Sequence, residues 1–373
     1  MKPKVIWIAH EGNVSGANFC LLEFMAIAKQ EGWESLLLLP AQGSMLEAAA
    51  KIGIPTKIVH YYSWVRKIEE PFFNQKFIKR LLRNSFAVAQ IIKIILKEKP
   101  THIFTNTSVI NIGAWAAALT FKKHFWYIHE MGQEDFGFKL PWGKLSYQFM
   151  KWTSTKLLTN SYHLQKKYLN IYPSLPIEVV RYAVEIEPKA EAIPWQLHQP
   201  VKLLLMGQVI ENKGHLFAVK ALKCLLDEGL KVTLTIVGST QDQVFYQRLR
   251  ALIEELGIGT YVNFHPHTND IASIYHAHHL LLMCSKCEAF GRVTIEAMKL
   301  GLPVVGANTG GTAELIKADV TGYLYQQDDA NALATQIKKA IHQTDTRAKI
   351  IIAAKEFAFN TTGRKPIIEA FNN

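Results

Sequence analysis

Three things are scarce in this 373-residue chain: cysteine, long apolar runs and, in its first half, acidic charge. The four cysteines are Cys20, Cys224, Cys284 and Cys287. Four thiols in a chain this long make no disulfide framework. Cys284-Ser-Lys-Cys287 has CxxC spacing, but no second pair at zinc-ligand spacing accompanies it, so it reads as a redox or metal pair or as two small residues at a strand end. No apolar run approaches the roughly 18 residues of a membrane-spanning helix. The opening "MKPKVIWIAHEG" has only five apolar residues before His10, too few for a secretory signal, and it suits a first buried strand. The expected location is therefore cytoplasmic, with peripheral contact to the inner face of a membrane.

The missing acid is unevenly distributed. Residues 1–186 hold 23 Lys and Arg against 13 Asp and Glu, whereas residues 187–373 hold 19 against 18. A basic half suits an acidic partner such as an anionic membrane surface or a phosphorylated lipid. The aromatic-interleaved basic motifs of RNA-binding modules are absent, so no nucleic-acid partner is expected.

What is present is a rhythm. Val/Ile/Leu-rich runs fall at Val5–His10, Ser35–Leu39, Lys57–His60, His102–Asn106, Phe125–His129, Lys156–Asn160 and Glu178–Val184. Helical spacing separates them, as in Ala17–Gln30 and Ser85–Lys97. Continuous apolar strands alternating with helices indicate a parallel sheet covered on both faces. "EPKAEAIPWQLHQP", residues 187–200, has three prolines and no period, and reads as a linker. The rhythm then restarts at Lys202–Met206, Lys231–Val237, Val262–Phe264, His279–Cys284 and Pro303–Gly306. The fold class is α/β, with two doubly wound domains at 1–186 and 187–350. A helical segment, 351–373, is expected to pack back on the first. Ser63–Asn84 breaks the rhythm with "SWVRKIEEPFFNQKFIKRLLRN". It is either a helix pair with snorkelling basic side chains or a membrane- or acceptor-facing patch.

Doubly wound sheets bind ligands at the carboxyl ends of their strands. Four strand-to-helix turns are candidates: Glu11–Ala17, Gly207–Gly214, Glu288–Gly291 and Thr309–Thr312. Each offers a helix N-terminus that attracts an anion, and together they suggest a bound diphosphate. Lys213 would add a point charge. Glu288 comes just past a strand, Gly291 lets the backbone approach a ligand, and Glu296 lies inside the following helix. A carboxylate there would oppose an anion unless it has another task, such as accepting hydrogen bonds from paired sugar hydroxyls; otherwise it is a solvated helix residue.

"EAFGRVTIEAM" (Glu288–Met298), "GLPVVGANTGGTAELI" (Gly301–Ile316) and "TGYLY" (Thr321–Tyr325) resemble the retaining glycosyltransferases of family 4, which have the GT-B fold of two Rossmann-like domains facing across a cleft. Glu288 and Glu296 match that family's Glu-x7-Glu signature. Gly207–Gly214 resembles its phosphate loop, "YIHE" (Tyr127–Glu130) its first-domain histidine motif, and "SGA" (Ser15–Ala17) its first-domain glycine loop. The resemblance is strong over 200–340 and looser over 1–185.

It implies a metal-independent enzyme without a cofactor, whose nucleotide sugar is a substrate. No Asp-x-Asp motif of a metal-dependent transferase is present. His129, Glu288 and Lys213 would be catalytic. The donor diphosphate would meet Gly16, Ala17, Gly207, Gln208, Lys213, Gly291, Arg292 and Val293. The sugar would meet Glu288, Ala289, Phe290 and Gly291, the ribose Glu296, and the base His267 and Thr268. The acceptor would be a saccharide or lipid-linked saccharide, in cell-surface polysaccharide, lipopolysaccharide or glycolipid synthesis, and the favoured donor a UDP-sugar. Two departures bear on donor binding. Gln208 stands where the family usually has Arg, with Arg292 or Arg181 as replacements, and Ala183 replaces a Gly. Two other functions fit the same fold: a nucleotide-sugar epimerase, and a non-catalytic nucleotide- or sugar-binding protein.

Overall fold

The computed structural model describes residues 3–68, 75–188, 195, 199–266, 268, 270–362 and 365–372. His267 and most of the 187–200 linker lie outside them. Contacts divide the chain into two units, 1–183 with 363–373, and 184–362. The division therefore lies three residues before the expected 186/187 boundary.

In the first unit the elements run β1 (Lys4–Ile8), α1 (Gly16–Gln30), β2 (Glu34–Leu39), α2 (Ser44–Lys51), β3 (Thr56–Ile58), β4 (Arg66–Lys67), α3 (Gln75–Glu98), β5 (His102–Asn106), α4 (Ile112–Leu119), β6 (Lys123–Ile128), α5 (Gln133–Phe136), β7 (Phe138–Lys139), α6 (Lys144–Thr153), β8 (Lys156–Thr159), α7 (Tyr162–Ile171) and β9 (Ile177–Val179). The sheet order is β3-β2-β1-β5-β6-β8-β9, parallel throughout. Val5–Ile8, Leu36–Leu39 and Phe125–Ile128 are buried, which is why these strands read as unbroken apolar runs rather than alternating ones.

Among the described residues of Ser63–Asn84 the one helix is the start of α3. The stretch holds the short strand β4, paired antiparallel with β7, and then enters α3, a 24-residue helix that begins ten residues before the expected Ser85.

The second unit runs β10 (Val201–Met206), α8 (His215–Asp227), β11 (Val232–Val237), α9 (Gln243–Glu255), β12 (Val262–His265), α10 (Ile271–His276), β13 (Leu280–Met283), α11 (Arg292–Leu300), β14 (Val304–Ala307), α12 (Gly310–Leu315), β15 (Tyr323–Tyr325), α13 (Ala330–His342) and α14 (Thr344–Thr361). Its parallel sheet has the order β12-β11-β10-β13-β14-β15. Trp195, from the linker, is fastened to this unit. The Arg347 guanidinium lies 3.9 Å over its ring, and His279 packs at 5.1 Å.

The expected C-terminal segment 351–373 is split. Helix α14 stays with the second unit, and α15 (Lys365–Asn372) belongs to the first. Phe371 explains the second attachment: its buried ring packs against Trp7, Trp33, Phe104 and Phe125. Among the described residues no helix is long and apolar enough to cross a membrane.

Both sheets reverse direction beside their first strand. The chain leaves β1 through β2 and β3, then returns to β5 on β1's other side. It leaves β10 through β11 and β12, then returns to β13. The carboxyl ends of β1/β5 and of β10/β13 are therefore the two switch points, where such sheets hold ligands.

Candidate functional site

At the β10/β13 switch point two loops leave the sheet side by side, Gly207–Gly214 and Cys284–Gly291. Gly214 has φ +71°, and a Cβ there would lie 2.0 Å from the Cys284 carbonyl oxygen, so only glycine lets the loops approach this closely. The Lys286 N–H donates to the Asn212 carbonyl at 2.8 Å and ties them. That register brings Lys213 Nζ into an ion pair with Glu288 Oε1. Ser285 Oγ donates to the same oxygen at 2.7 Å. The pair is partly covered, with side chains 29% and 16% exposed, so it is screened less than a surface pair.

Beyond Glu288 the chain turns at Gly291, φ +91°, and starts α11. Phe290 is buried beneath this turn, Ala289 is half-buried, and Arg292 and Val293 open the helix. Glu296, one turn in, is also buried. Arg292 Nε donates to its Oε1 at 2.8 Å and Tyr275 OH to its Oε2 at 2.8 Å. It is not a solvated helix residue. Each oxygen keeps a further lone pair for another donor. Arg292, expected as a replacement for the family's Arg, is thus committed to Glu296, while Gln208 is exposed beside half-buried Gly207.

One of the four expected anion turns is spent internally. The Gly311 N–H donates to the Glu288 carbonyl at 2.7 Å, so the Thr309–Thr312 turn holds the Glu288 loop. Thr268 Oγ1 accepts from the Asp270 N–H at 3.1 Å, a local turn bond. Cys284 is buried, its thiol pushed up to about 12 by burial, and none of the four cysteines is in a disulfide. No cluster of His, Cys, Asp or Glu suited to a metal occurs among the described residues.

The first unit's switch point is a neutral hydrogen-bond network. Asn106, the last residue of β5, donates from Nδ2 to the Ala17 carbonyl at 3.1 Å, which fixes its amide orientation. Its Oδ1 therefore faces His129 Nε2, 2.6 Å away, and Nε2 carries the proton. On the other side Asn160 Nδ2 donates to Tyr182 OH at 2.7 Å, and Tyr182 OH donates to His129 Nδ1 at 2.5 Å. Burial first, and the charge of His10 second, hold His129 well below the usual histidine range. The imidazole is neutral, with both nitrogens occupied. Next to it Glu130 Oε2 accepts from Ser108 Oγ at 2.9 Å and from the backbone N–H of Ser108 and His129. Thr107 links the strand end to this loop at φ +78°, a strained conformation for a β-branched residue, of order 1–3 kcal/mol. Its N–H donates to the Tyr127 carbonyl, and Trp126 Nε1 donates to its carbonyl. Gly16 begins α1 at the surface, with nothing within 4 Å of where a Cβ would sit.

The structure thus groups Gly207, Gln208, Lys213, Glu288, Gly291 and Glu296 within the second unit, and Gly16, Ala17 and His129 within the first. Sequence reasoning missed Ser285, Tyr275, Asn106, Asn160 and Tyr182. Asn106 could have been found as the polar residue closing an apolar strand. Tyr275 could not, because an aromatic residue in a short helix looks the same whether it packs or binds.

Residues 190–357 match the model of the glycosyl transferases group 1. The matched stretch contains the whole Lys213–Glu288 site. Among curated relatives, the capsular polysaccharide biosynthesis glycosyltransferase CapM of Staphylococcus aureus is 26% identical over 39% of this chain and 38% of its own length. The amylovoran biosynthesis glycosyltransferase AmsK of Erwinia amylovora is 28% identical over 49% of this chain and 46% of its own length. The alignments thus span less than half of these relatives. Anabaena Alr3699/HepE, solved in complex with UDP-glucose, superposes with a TM-score of 0.80 over 99% of both chains at 20% identity. At that identity the likeness shows the fold, which is GT-B: two doubly wound α/β units.

Proposed function

We propose that the protein is a retaining glycosyltransferase that moves a hexose from a UDP-sugar to a saccharide or lipid-linked saccharide, in cell-surface polysaccharide or glycolipid synthesis. It would work at the cytoplasmic face of a membrane. The observation that carries this reading is the Lys213–Glu288 pair beside the start of α11, inside the matched stretch. A cation and a helix N-terminus side by side suit a diphosphate. When the diphosphate arrives, Lys213 would exchange Glu288 for phosphate oxygen. Glu288, still held by Ser285, would then be free to accept from a sugar hydroxyl. Glu296 would accept from the ribose, and Thr268 with His267 would flank the base. As the sugar–phosphate bond breaks, negative charge grows on the leaving diphosphate, where Lys213 and the α11 N–H groups stabilise it. The acceptor hydroxyl would attack from the face the diphosphate leaves and give its proton to a phosphate oxygen. His129, held neutral, would reach a sugar hydroxyl only by exchanging its Asn106 bond for one to the substrate, and would then orient by hydrogen bonding rather than by charge. The reaction requires no metal, because protein groups supply the positive charge.

The test is incubation with UDP-hexoses, with and without oligosaccharide or prenyl-diphosphate-linked acceptors, following UDP release and the anomeric proton coupling of the product by NMR. Acceptor-dependent release with the donor's anomeric configuration supports the reading. Inversion of configuration contradicts retention, and conversion of the nucleotide sugar without acceptor indicates an epimerase. One observation favours a non-catalytic nucleotide-binding protein: Gln208 supplies no charge, and Arg292 is engaged by Glu296. That reading expects UDP to bind and no sugar to move.

A further inference from the structure

The first unit holds an apolar cavity of about 460 Å³, within the size range of small-molecule sites, whose lining includes no residue of the Asn106–His129–Tyr182–Asn160 network. Its lining follows from helix periodicity. Leu81, Ser85, Val88 and Ile92 fall at spacings of four, three and four and make one face of α3. Trp115 and Leu119 supply the facing stripe of α4. Trp64 and Trp142 close the end, their rings edge-to-face at 5.4 Å. Trp64 is fixed there: its indole N–H donates to the Ser108 carbonyl at 2.8 Å and its backbone N–H to the Val109 carbonyl. The cavity is therefore a preformed apolar slot with rigid aromatic walls.

Its surroundings are apolar and basic at once. Around the slot α3 exposes Leu82 and Phe86, the latter at 73%. Two residues past Leu119, Phe121 sits at φ +53° with its ring 96% exposed. A fully exposed aromatic in a conformation that disfavours it is not explained by packing. The sequence of α3 carries six Lys and Arg and a single acid, Glu98, and Glu98 is consumed by ion pairs with Lys4 and Lys57 at the helix's far end. Arg80 lines the slot itself, and among the described residues no carboxylate pairs with it.

We infer that this slot binds the hydrocarbon chain of a lipid whose phosphate head is held by Arg80. An apolar slot beside exposed apolar side chains and a cationic rim matches an amphiphile with an anionic head: the chain enters the cavity, the head meets Arg80, and Phe86 and Phe121 reach into the lipid surface that delivers it. The charge argues against an apolar protein partner, which would gain nothing from a rim of like-charged side chains. This deepens the proposed transfer reaction and rests on it: of the two acceptor classes it selects the lipid-linked one, with the lipid anchored away from the reacting sugar.

The experiment is titration of the full-length chain with dodecyl phosphate below its micelle concentration, followed by the fluorescence of the slot's tryptophans. Dodecyl maltoside carries the chain alone and inorganic phosphate the head alone. Dodecyl phosphate is expected to bind saturably and one-to-one. Ser85→Trp and Ala89→Trp fill the slot from exposed positions on α3 and are each expected to weaken it at least about tenfold. Arg80→Ala is expected to bring its affinity to that of dodecyl maltoside, and inorganic phosphate is expected not to compete. UDP binding is measured on the same variants. If UDP binds normally and dodecyl phosphate does not bind, or binds equally to wild type and both Trp variants, the slot proposal is wrong while the donor reading stands. If UDP fails to bind, the donor reading fails on its own. Concentration-dependent self-association of the chain, relieved by the Trp variants without chain binding, would show the patch to be a protein interface and overturn the proposal.

Discussion

The two units share a topology and differ in what they place at its switch point. In the second unit, beside β10 and β13, the switch point holds opposite charges: Lys213 against Glu288, with Arg292 against Glu296 one turn into α11. In the first, beside β1 and β5, it holds a buried neutral chain of Asn106, His129, Tyr182 and Asn160, joined by hydrogen bonds that occupy both ring nitrogens of His129. One fold thus supplies two chemistries. A charged switch point can exchange its internal ion pair for a charged ligand. A neutral one, with both nitrogens of its histidine bonded, holds that side chain in a single tautomer and position. The exposed surfaces differ too, since the first unit carries the surplus positive charge and the basic, aromatic α3 face.

The comparison breaks first, and furthest, at the charged site. If Lys213 stabilises charge on a leaving diphosphate as proposed, Lys213→Ala is expected to slow sugar transfer about 100- to 1000-fold. Steady-state kinetics with the accepted UDP-sugar reads this, with the loss in kcat rather than KM alone. An unchanged kcat would take Lys213 out of the reaction. The neutral site should instead reveal itself as stability. Asn106→Ala leaves the His129 Nε2–H and the Ala17 carbonyl without their partner, at a cost of about 1–3 kcal/mol of first-unit stability in denaturant unfolding.

Acid sharpens the contrast further. Burial lowers His124 to about 3 and His102 to about 4 in the first unit, and His215 to about 4 in the second. These are depressed histidine values. Below about pH 6.5 the unfolded chain takes up protons that the folded chain refuses, so stability falls with pH until the folded values are reached. Each such group contributes up to about 1.4 kcal/mol per pH unit in that window. His124→Gln is expected to flatten the fall between pH 6 and 4, read from unfolding midpoints of variant and wild type across that range. Smallest is Glu98, lowered to about 2 mainly by its hydrogen bonds with Lys57 and then Lys4. A depressed carboxylate contributes above its unfolded value and loses that contribution as pH falls toward 2. With partly exposed partners, Glu98→Gln should cost less than about 1 kcal/mol at pH 7 and progressively less as pH falls toward 2.

The sequence made the second unit easier to read than the first, for physical reasons. Parallel strands buried on both faces leave continuous apolar runs, so both sheets were visible, with strand ends shifted by a few residues. Close backbone approach at Gly214 and a positive φ at Gly291 demand glycine, which is why these two marked the charged site in advance. The Glu288–Glu296 spacing follows from one turn and one helix start, so it too survives in sequence. The neutral network leaves no such trace. Asn106, Asn160 and Tyr182 are brought to His129 from three separate strand ends, and the turn at Thr107 uses no glycine. Burial of Glu296 by Tyr275 was equally illegible, because it depends on packing between α10 and α11. In the Ser63–Asn84 stretch, read as either a helix pair or a membrane- or acceptor-facing patch, the short strand β4 was not foreseen, because it exists only through pairing with β7, more than sixty residues on.

The most direct measurement is calorimetric titration of UDP into the wild type, Lys213→Ala and Asn106→Ala. The account predicts that UDP binds the wild type and Asn106→Ala with similar affinity, and that Lys213→Ala loses at least about tenfold, the effect of removing one charge-assisted contact worth roughly 1.4 kcal/mol or more. Equal binding by Lys213→Ala, or a loss confined to Asn106→Ala, would contradict the assignment of the diphosphate to the charged switch point.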